Sequence, residues 1–193
     1  MTLFIDTSSF CLNLAIILEN KVYKKTIKEV NEHSKFAVDE INKLFLKLNK
    51  KPKDIEKIMV VNGPGSFTGL RIGVTIAKVF GWSLNKNVIP VSSLKSKILK
   101  YKRHKYYISI INAKNNNAYV GIYDKDYNTI IEKFMNLDEL ELSNYKNSKI
   151  VKDGNIDILR TYDYYKLEKG INAHKLVPNY LKKPQAELQM EGL

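Results

Sequence analysis

The chain has 193 residues, 44% of them hydrophobic, and is long enough to bury a core as one large domain or two small ones. Its formal charge of +12 at pH 7 invites a nucleic-acid interpretation, because clustered cations gain affinity for phosphates by releasing counterions. Only three of the 32 basic residues are arginine, however, and the lysines are scattered along the chain. The composition therefore favours a solvated surface over a dedicated binding stripe.

The cysteine count indicates a reducing compartment, and the apolar runs indicate that no segment spans a membrane. The single cysteine, Cys11, cannot form an internal disulfide and is expected to be a small core residue. The N-terminus lacks the basic region of a signal peptide, and the longest apolar run, residues 14–18, is too short to span a bilayer. We therefore expect a cytoplasmic protein without a membrane-spanning segment.

The first third of the chain predicts a strand meander followed by a helix and a buried strand. Strands are expected at residues 3–5, 12–18 and 22–30, and the lysines of the third suit the edge of a sheet. Apolar residues at helical spacing predict an amphipathic helix over 35–49. A continuous apolar run at 58–61 predicts a strand that is buried on both faces.

A second helix is predicted over residues 69–84, and it is apolar almost all round. Such a helix must be buried or must bury itself against a partner. Gly73, Ala77 and Gly81 recur at every fourth position and form a smooth stripe, which allows another helix backbone to approach closely. The stripe is a packing device, and the sequence leaves open whether it packs internally or against a partner.

A charged stretch separates two predicted domains. Residues 88–91 predict a strand, and Ser92 or Ser93 is expected to cap a helix that runs to about residue 101. The basic segment that follows places the boundary between an N-terminal domain, 1–102, and a smaller C-terminal domain, 103–193, whose tail can return to the first.

The second domain is predicted to be built mainly of strands. Three adjacent asparagines before Ala118 suit left-handed turn geometry. Strands are expected at 106–111, 118–123, 129–133 and 150–151, with a short helix at 137–142. The order of elements along the chain indicates an α/β architecture with a mixed sheet.

The first candidate site is the polar stretch Asp6, Thr7 and Ser8 at the end of the first strand. Ligand-binding groups of α/β proteins often lie at strand ends, and a carboxylate followed by hydroxyls could hold a hydrated magnesium ion and a phosphate. The alternative is a strand-end turn in which Asp6 and Ser8 bond the backbone.

The second candidate site is the glycine-rich loop from Gly63 through Gly65 to Gly69. It follows a strand and opens a helix, where backbone N–H groups and the helix dipole attract an anion. The loop lacks the Gly-Lys-Ser/Thr of a P-loop, and its glycine spacing is one residue longer than the dinucleotide fingerprint. The alternative is a tight turn in which Ser66 or Thr68 caps the helix.

The histidines and the hydroxyl residues show no pattern of a metal or hydrolase site. His33 has alanine four residues later, and His104 and His174 lie in lysine-rich surroundings, so no helical histidine pair is present. No serine stands in a nucleophile-elbow context. We expect no metal site.

Together these residues resemble the TsaB (YeaZ) family, which takes part in making threonylcarbamoyladenosine in tRNA. Residues 63–73, GPGSFTGLRIG, with Ala77 and Lys78, are similar to the strongest signature of the family. Further segments that match the family lie along the chain in the same order as in the family. They are 5–8, 33–34, 90–94, 113–119, Gly154 and 178–187.

The resemblance implies an actin- and Hsp70-like (ASKHA) fold in two lobes with mixed β-sheets, the second lobe being reduced. It implies a non-catalytic companion of the paralogous TsaD, which transfers a threonylcarbamoyl group to the adenosine beside the anticodon with help from the ATPase TsaE. Where TsaD carries a His-x-x-x-His metal pair, this chain places Ser93 and Lys97, which cannot build that site.

The resemblance also implies how the chain assembles. The first two helices would pack against TsaD, or against a second copy in a homodimer. The implied interface residues are Phe36, Ile41, Leu44, Arg71, Gly73, Ile76, Ala77, Phe80 and Gly81. On this view Gly73→Leu leaves the monomer folded and abolishes association.

The ligands that follow from the resemblance lie outside the isolated chain. No intrinsic cofactor is expected, ATP or ADP would sit at the interface of the complex, and tRNA would be held through the complex. The alternative function is a free-standing nucleotide-binding phosphotransferase or ATPase that uses Asp6 and the glycine-rich loop.

Overall fold

Three antiparallel strands begin the larger of two β-sheets. The computed structural model describes residues 1–28, 33–152 and 154–182. β1 (Thr2–Asp6) pairs with β2 (Leu12–Leu18), which pairs with β3 (Lys21–Ile27). β3 lies at the sheet edge with half-buried or exposed side chains, so the predicted meander and its lysine-bearing edge strand are confirmed. The strand ends at Ile27, and residues 29–30 of the predicted strand lie outside the described residues.

Two parallel strands complete this sheet. β4 (Lys57–Gly63) pairs with β1, and β5 (Val88–Ser92) pairs with β4, so that the order is β3-β2-β1-β4-β5. α1 (His33–Lys47) and a 3-10 turn (Pro52–Asp54) precede β4, and α2 (Phe67–Ser83) joins β4 to β5. Residues 58–61 of β4 are buried, as expected for a strand covered on both faces.

The smaller sheet has the same pattern of pairing. β6 (Tyr106–Ala113), β7 (Asn117–Asp124) and β8 (Thr129–Asn136) are antiparallel neighbours, and β9 (Ser148–Lys152) pairs parallel with β6. The order is β8-β7-β6-β9. Asn115 and Asn116 have φ values of 61° and 56°, which is the left-handed geometry predicted for this turn. The two mixed sheets confirm the α/β fold class.

Two helical predictions need correction. α3 (Ser93–Ile98) is capped by the Ser92 hydroxyl, which accepts from Lys95 N–H at 3.3 Å, and it ends before residue 101. The helix predicted at 137–142 is two 3-10 turns, Leu137–Glu139 and Leu142–Asn144. The side chain of Asn136 accepts from Asp138 N–H at 2.9 Å and closes the first of them locally.

α4 (Ile158–Tyr165) was not predicted at all. The side chain of Asp157 caps it by accepting from Arg160 N–H at 3.0 Å. Among the helices of the described ranges, none is both long and apolar enough to cross a membrane.

The core lies on both faces of the larger sheet. On one face, α1 and α2 cover Leu3, Ile5 and Val60. On the other, α4 places Ile158 against Phe4 and Met59. Cys11 is half-buried at the start of β2 and belongs to neither cluster, so it is not the core residue expected.

The chain returns to the larger sheet after α4. Ile171 forms an antiparallel bridge with Val88, and the 3-10 turn Ala173–Lys175 contacts α2. Leu176 is fully buried in the core beneath α2, and Asn179 N–H donates to the carbonyl of Asn62 at 2.7 Å. The sheet of the N-terminal half is therefore completed by residues from the C-terminal end, while the domain boundary near residue 102 stays a prediction.

Candidate functional site

Asp6 forms a closed turn at the end of β1. One carboxylate oxygen accepts from the backbone N–H and the hydroxyl of Ser8, at 2.9 and 2.7 Å. The other accepts from the side-chain amide of Asn13 at 3.2 Å. Asp6 is 2% exposed, and both of its carboxylate oxygens accept hydrogen bonds from its own chain. These bonds are those of a strand-end turn, the alternative to a magnesium site. Nucleotide binding here stays a prediction.

The glycine-rich loop packs directly on this turn. Ser66 N–H donates to the carbonyl of Ser8 at 2.8 Å, and the hydroxyl of Thr7 donates to the carbonyl of Gly69 at 2.6 Å. Ser66 is the N-cap of α2, since its hydroxyl accepts from Gly69 N–H at 3.3 Å. Thr68 lies exposed in the first turn of the helix and is not the cap.

Backbone carbonyl oxygens of the same chain pack closely against the loop glycines. A Cβ added to Gly65 would lie 2.3 Å from the carbonyl oxygen of Ser8, and one added to Gly69 would lie 2.0 Å from that of Thr7. At Gly63 the corresponding oxygen is that of Asn179, at 2.1 Å. A carbonyl oxygen carries partial negative charge, so these approaches disfavour an anion at the same points. The loop has the geometry of the tight-turn alternative.

The small-residue stripe of α2 faces inward. A Cβ on Gly73 would lie 2.3 Å from the Thr7 hydroxyl oxygen, and one on Gly81 would lie 2.9 Å from Ala173 Cβ. Ala77 is completely buried in the core. The stripe allows α2 to lie close to β1 and to the C-terminal segment of its own chain. These three residues are not accessible to a partner helix, which corrects the implied interface.

Two further residues of the implied interface are also internal. Ile41 and Leu44 are 1% and 6% exposed and pack in the core beneath α1. The reason is that the apolar face of an amphipathic helix covers its own sheet first. Of the remaining implied residues, Arg71 is exposed, Phe36 is 40% exposed, and Ile76 and Phe80 are half-buried.

An outward-facing apolar surface lies on the opposite side of α2. We call it the outer face and define it by Val38, Arg71, Ile72, Thr75, Ile76 and Val79. Its first five residues line a shallow groove of about 270 Å³, and Val79 is 58% exposed. Trp82, 69% exposed, continues this side toward the C-terminal end of the helix. Exposed apolar side chains at helical spacing are typical of a protein-binding surface.

The outer face is fixed at one end by a stack of side chains. The Arg71 guanidinium lies 4.0 Å from the centre of the Phe67 ring, and its Nε–H donates to the Tyr180 hydroxyl at 3.1 Å. The Phe67 and Tyr180 rings stack with centres 4.8 Å apart. Arg71 is thereby held in one orientation beside the groove.

A polar cluster between the two sheets was missed by the sequence analysis. A carboxylate oxygen of Glu132 accepts from the hydroxyl of Tyr123 at 2.5 Å and from that of Ser92 at 3.0 Å. The Tyr165 hydroxyl accepts from Ser92 N–H at 3.3 Å. Burial, with a smaller contribution from the Glu132 charge, raises the pKa of Tyr123, so the phenol stays protonated as a donor. No sequence spacing links these residues, because the fold alone brings β5, β8 and α4 together.

The residues at the implied TsaD metal positions have other contacts. Ser93 is 1% exposed and its hydroxyl donates to the carbonyl of Pro64, while Lys97 is half-buried. Within the described ranges, no group of three or more His, Cys, Asp and Glu side chains is arranged to hold a metal ion. The hydrogen bond from Ser93 to Pro64 thus joins α3 to the glycine-rich loop.

Comparison with known proteins decides the family. The family model for TsaD, tRNA N6-adenosine threonylcarbamoyltransferase, matches residues 21–177. The tRNA threonylcarbamoyladenosine biosynthesis protein TsaB of Bacillus subtilis is 30% identical over 96% of this chain and 95% of its own length. The chain belongs to the TsaB (YeaZ) family. An uncharacterized protein of Mycoplasma genitalium is 31% identical to this TsaB-family chain, over 94% of the chain and 95% of its own.

The structural comparison shows the fold of the family. YeaZ from Pseudomonas aeruginosa superposes on this TsaB-family chain with a TM-score of 0.78, covering 93% of the chain and 98% of its own. The sequence identity is 17%. The TsaD family model and this shared fold together confirm the ASKHA-like α/β fold class expected from the resemblance.

Proposed function

We propose that this TsaB-family chain is a non-catalytic partner of a TsaD homologue in the biosynthesis of threonylcarbamoyladenosine in tRNA. The observation that carries the proposal is the 30% identity to a curated TsaB protein along nearly the whole of both chains. The setting is the cytoplasm, with a TsaE homologue as a further member of the complex.

Two observations favour the partner role over that of the transferase named by the family model. Ser93 stands where the resemblance places the first metal-binding histidine of TsaD, and its hydroxyl donates to the carbonyl oxygen of Pro64. Lys97 stands at the second position, and a protonated lysine is no metal ligand. The chain therefore supplies a binding surface and leaves the transfer chemistry to TsaD.

The outer face supplies the surface for this partner. It is apolar, lies on the helices that the resemblance assigns to the interface, and is exposed in the single chain. A helix pair of the partner can pack on it as in a four-helix bundle, burying on the order of 800 Å² per partner in an ordinary stable interface. The same face would serve a homodimer when TsaD is absent.

We expect ATP or ADP to bind at the seam with the partner and not at the glycine-rich loop alone. The carbonyl oxygens of Thr7 and Ser8 occupy the close approaches at that loop. Calorimetry of the isolated chain with millimolar ATP should therefore show no binding. Binding that Asp6→Ala abolishes would instead support the free-standing nucleotide enzyme.

The proposal is tested by depleting the protein and measuring threonylcarbamoyladenosine in bulk tRNA by mass spectrometry. The modified nucleoside should fall, and re-expression of the wild-type chain should restore it. An unchanged level after depletion would refute the proposed function. Co-purification with the TsaD homologue identifies the partner separately.

A further inference from the structure

The positive charge is concentrated in one part of the chain. Residues 57–123 contain eleven lysines and arginines and no aspartate or glutamate. The remainder is nearly neutral, so almost the whole formal charge of +12 comes from this stretch. The even scatter of lysines suggested by composition is therefore misleading, and the location of these cations in the fold becomes the question.

Four of these cations lie at one side of the smaller sheet. Lys100, Lys102, Arg103 and Lys105 are exposed in the loop between α3 and β6. The edge strand β9 and the residues before it add Lys146 and Lys149, because Lys105 N–H donates to the carbonyl of Asn147 at 3.1 Å. We call these six residues the basic edge.

Two members of the basic edge converge on one aromatic ring. The ammonium nitrogens of Lys149 and Lys100 lie 4.9 and 5.3 Å from the centre of the Tyr101 ring. That of Lys105 lies 5.4 Å from the Tyr106 ring. The tyrosines are half-buried, so each presents part of an aromatic surface among cations.

These charges are not compensated locally. None of the six forms an ion pair with a carboxylate in the part of the chain that the structure describes. Adjacent like charges without counter-charges create a positive potential that attracts an extended anion.

We propose that the basic edge binds the phosphate backbone of RNA. The choice of RNA rests on the proposed function, while the surface itself lies apart from the outer face. Lysine ammonium groups contact phosphates as point charges, and partly exposed tyrosines can stack on unpaired bases. Five lysines and one arginine give little base readout, so the binding should be largely independent of sequence.

The test measures binding of a fluorescein-labelled tRNA transcript to the full chain by anisotropy at 50 and 200 mM KCl. The wild-type affinity should fall steeply with salt. Lys100→Glu/Lys102→Glu/Lys105→Glu should weaken binding at 50 mM KCl by at least about tenfold and lower the salt slope by about 2. Lys47→Glu/Lys50→Glu/Lys53→Glu, an equal charge change at the end of α1 and just after it, is the matched control and should stay within about twofold.

Thermal unfolding of each variant tests whether the variant is folded. Glutamine at the same three positions provides a milder set of substitutions. That set should show a smaller loss in the same direction. Equal losses for the edge and control variants would overturn the proposal, as would the absence of tRNA binding by the wild-type chain. Preferential binding of polyglutamate would overturn it in favour of an acidic protein partner. The assay contains no TsaD homologue, so its failure is distinguishable from failure of the depletion experiment.

Discussion

Gly63, Gly65 and Gly69 each lie against a backbone oxygen from a distant part of the chain. Those oxygens belong to Asn179, Ser8 and Thr7. The sequence leaves two explanations for these glycines open, an anion site and a tight turn, and the close approaches favour the turn. It does not reveal which group approaches them, because that depends on the register of β1 and on a segment more than a hundred residues away.

Gly73 gives a prediction about stability. The expectation that Gly73→Leu leaves the monomer folded changes, because the new side chain would enter the space of Thr7 and Ile5. We expect it to lower the free energy of unfolding by about 3 kcal/mol, through overpacking. Urea unfolding measures this. Thr75→Leu, on the exposed side of α2, should change it by less than about 0.5 kcal/mol, and equal effects would contradict the inward orientation.

Glu40 gives a prediction about pH. Its carboxylate accepts from Lys43 at 2.7 Å and lies 3.7 Å from Lys25 of β3, and the hydrogen bond from Lys43 is the main reason that its pKa is lowered. A lowered pKa stabilises the fold above the unfolded value of about 4.3, and this stabilisation is lost as the pH falls through the folded value.

Unfolding curves of wild type and Glu40→Gln should therefore differ at pH 7 and converge as the pH falls through the lowered pKa of Glu40. Asp39→Asn is the matched control, because it removes an exposed carboxylate of the same helix that has no ion pair in the described ranges. A wild-type advantage that grows on acidification would contradict this assignment.

At the scale of the element, one side of α2 packs against β1 and the C-terminal segment, and the other side faces solvent. Its existence and approximate length follow from its sequence, since apolar residues at helical spacing fill it. Its orientation does not follow, because a helix that is apolar almost all round has no polar side to indicate the solvent. The residues assigned to the interface were accordingly a mixture of inward and outward positions.

The outer face gives a prediction about association. Val79→Asp places a charge on an apolar interface and should weaken binding to the TsaD homologue at least about tenfold without unfolding the chain. Leu167→Asp is the matched control, because Leu167 is 87% exposed beyond α4 and away from the outer face. Calorimetric titration of both variants measures the effect. Equal affinity of the two variants would place the interface elsewhere.

At the scale of the molecule, two sheets with the same pairing pattern are held together by loops, α3, α4 and the cluster around Glu132. The sequence predicts all nine strands of the described ranges, with ends that differ by a few residues, since strand runs and turn residues are local signals. It does not predict α4, and it allows the C-terminal tail to return to the first domain without locating the contacts that the tail makes. The short apolar pattern of α4 is weak, and the return depends on contacts across the whole chain.

The returning segment gives a prediction about global stability. Leu176 is completely buried with the residues beneath α2, whereas its neighbour Val177 is 63% exposed. Leu176→Ala should lower the free energy of unfolding by about 2–5 kcal/mol, and Val177→Ala should lower it by less than about 0.5 kcal/mol. Thermal or urea unfolding of the full chain compares the two. A small effect of Leu176→Ala would show that the first sheet is stable without this segment.

The closing role of this segment has a consequence for biosynthesis. The five strands of the larger sheet are translated first, whereas Leu176 and Asn179, which cover the α2 side and the Gly63 turn, are translated only after the second sheet. During elongation of the second half, the nascent chain keeps apolar surface uncovered beneath α2. A nascent chain that has been made only as far as the second sheet therefore lacks the side chain of Leu176, which is buried in this core in the folded protein.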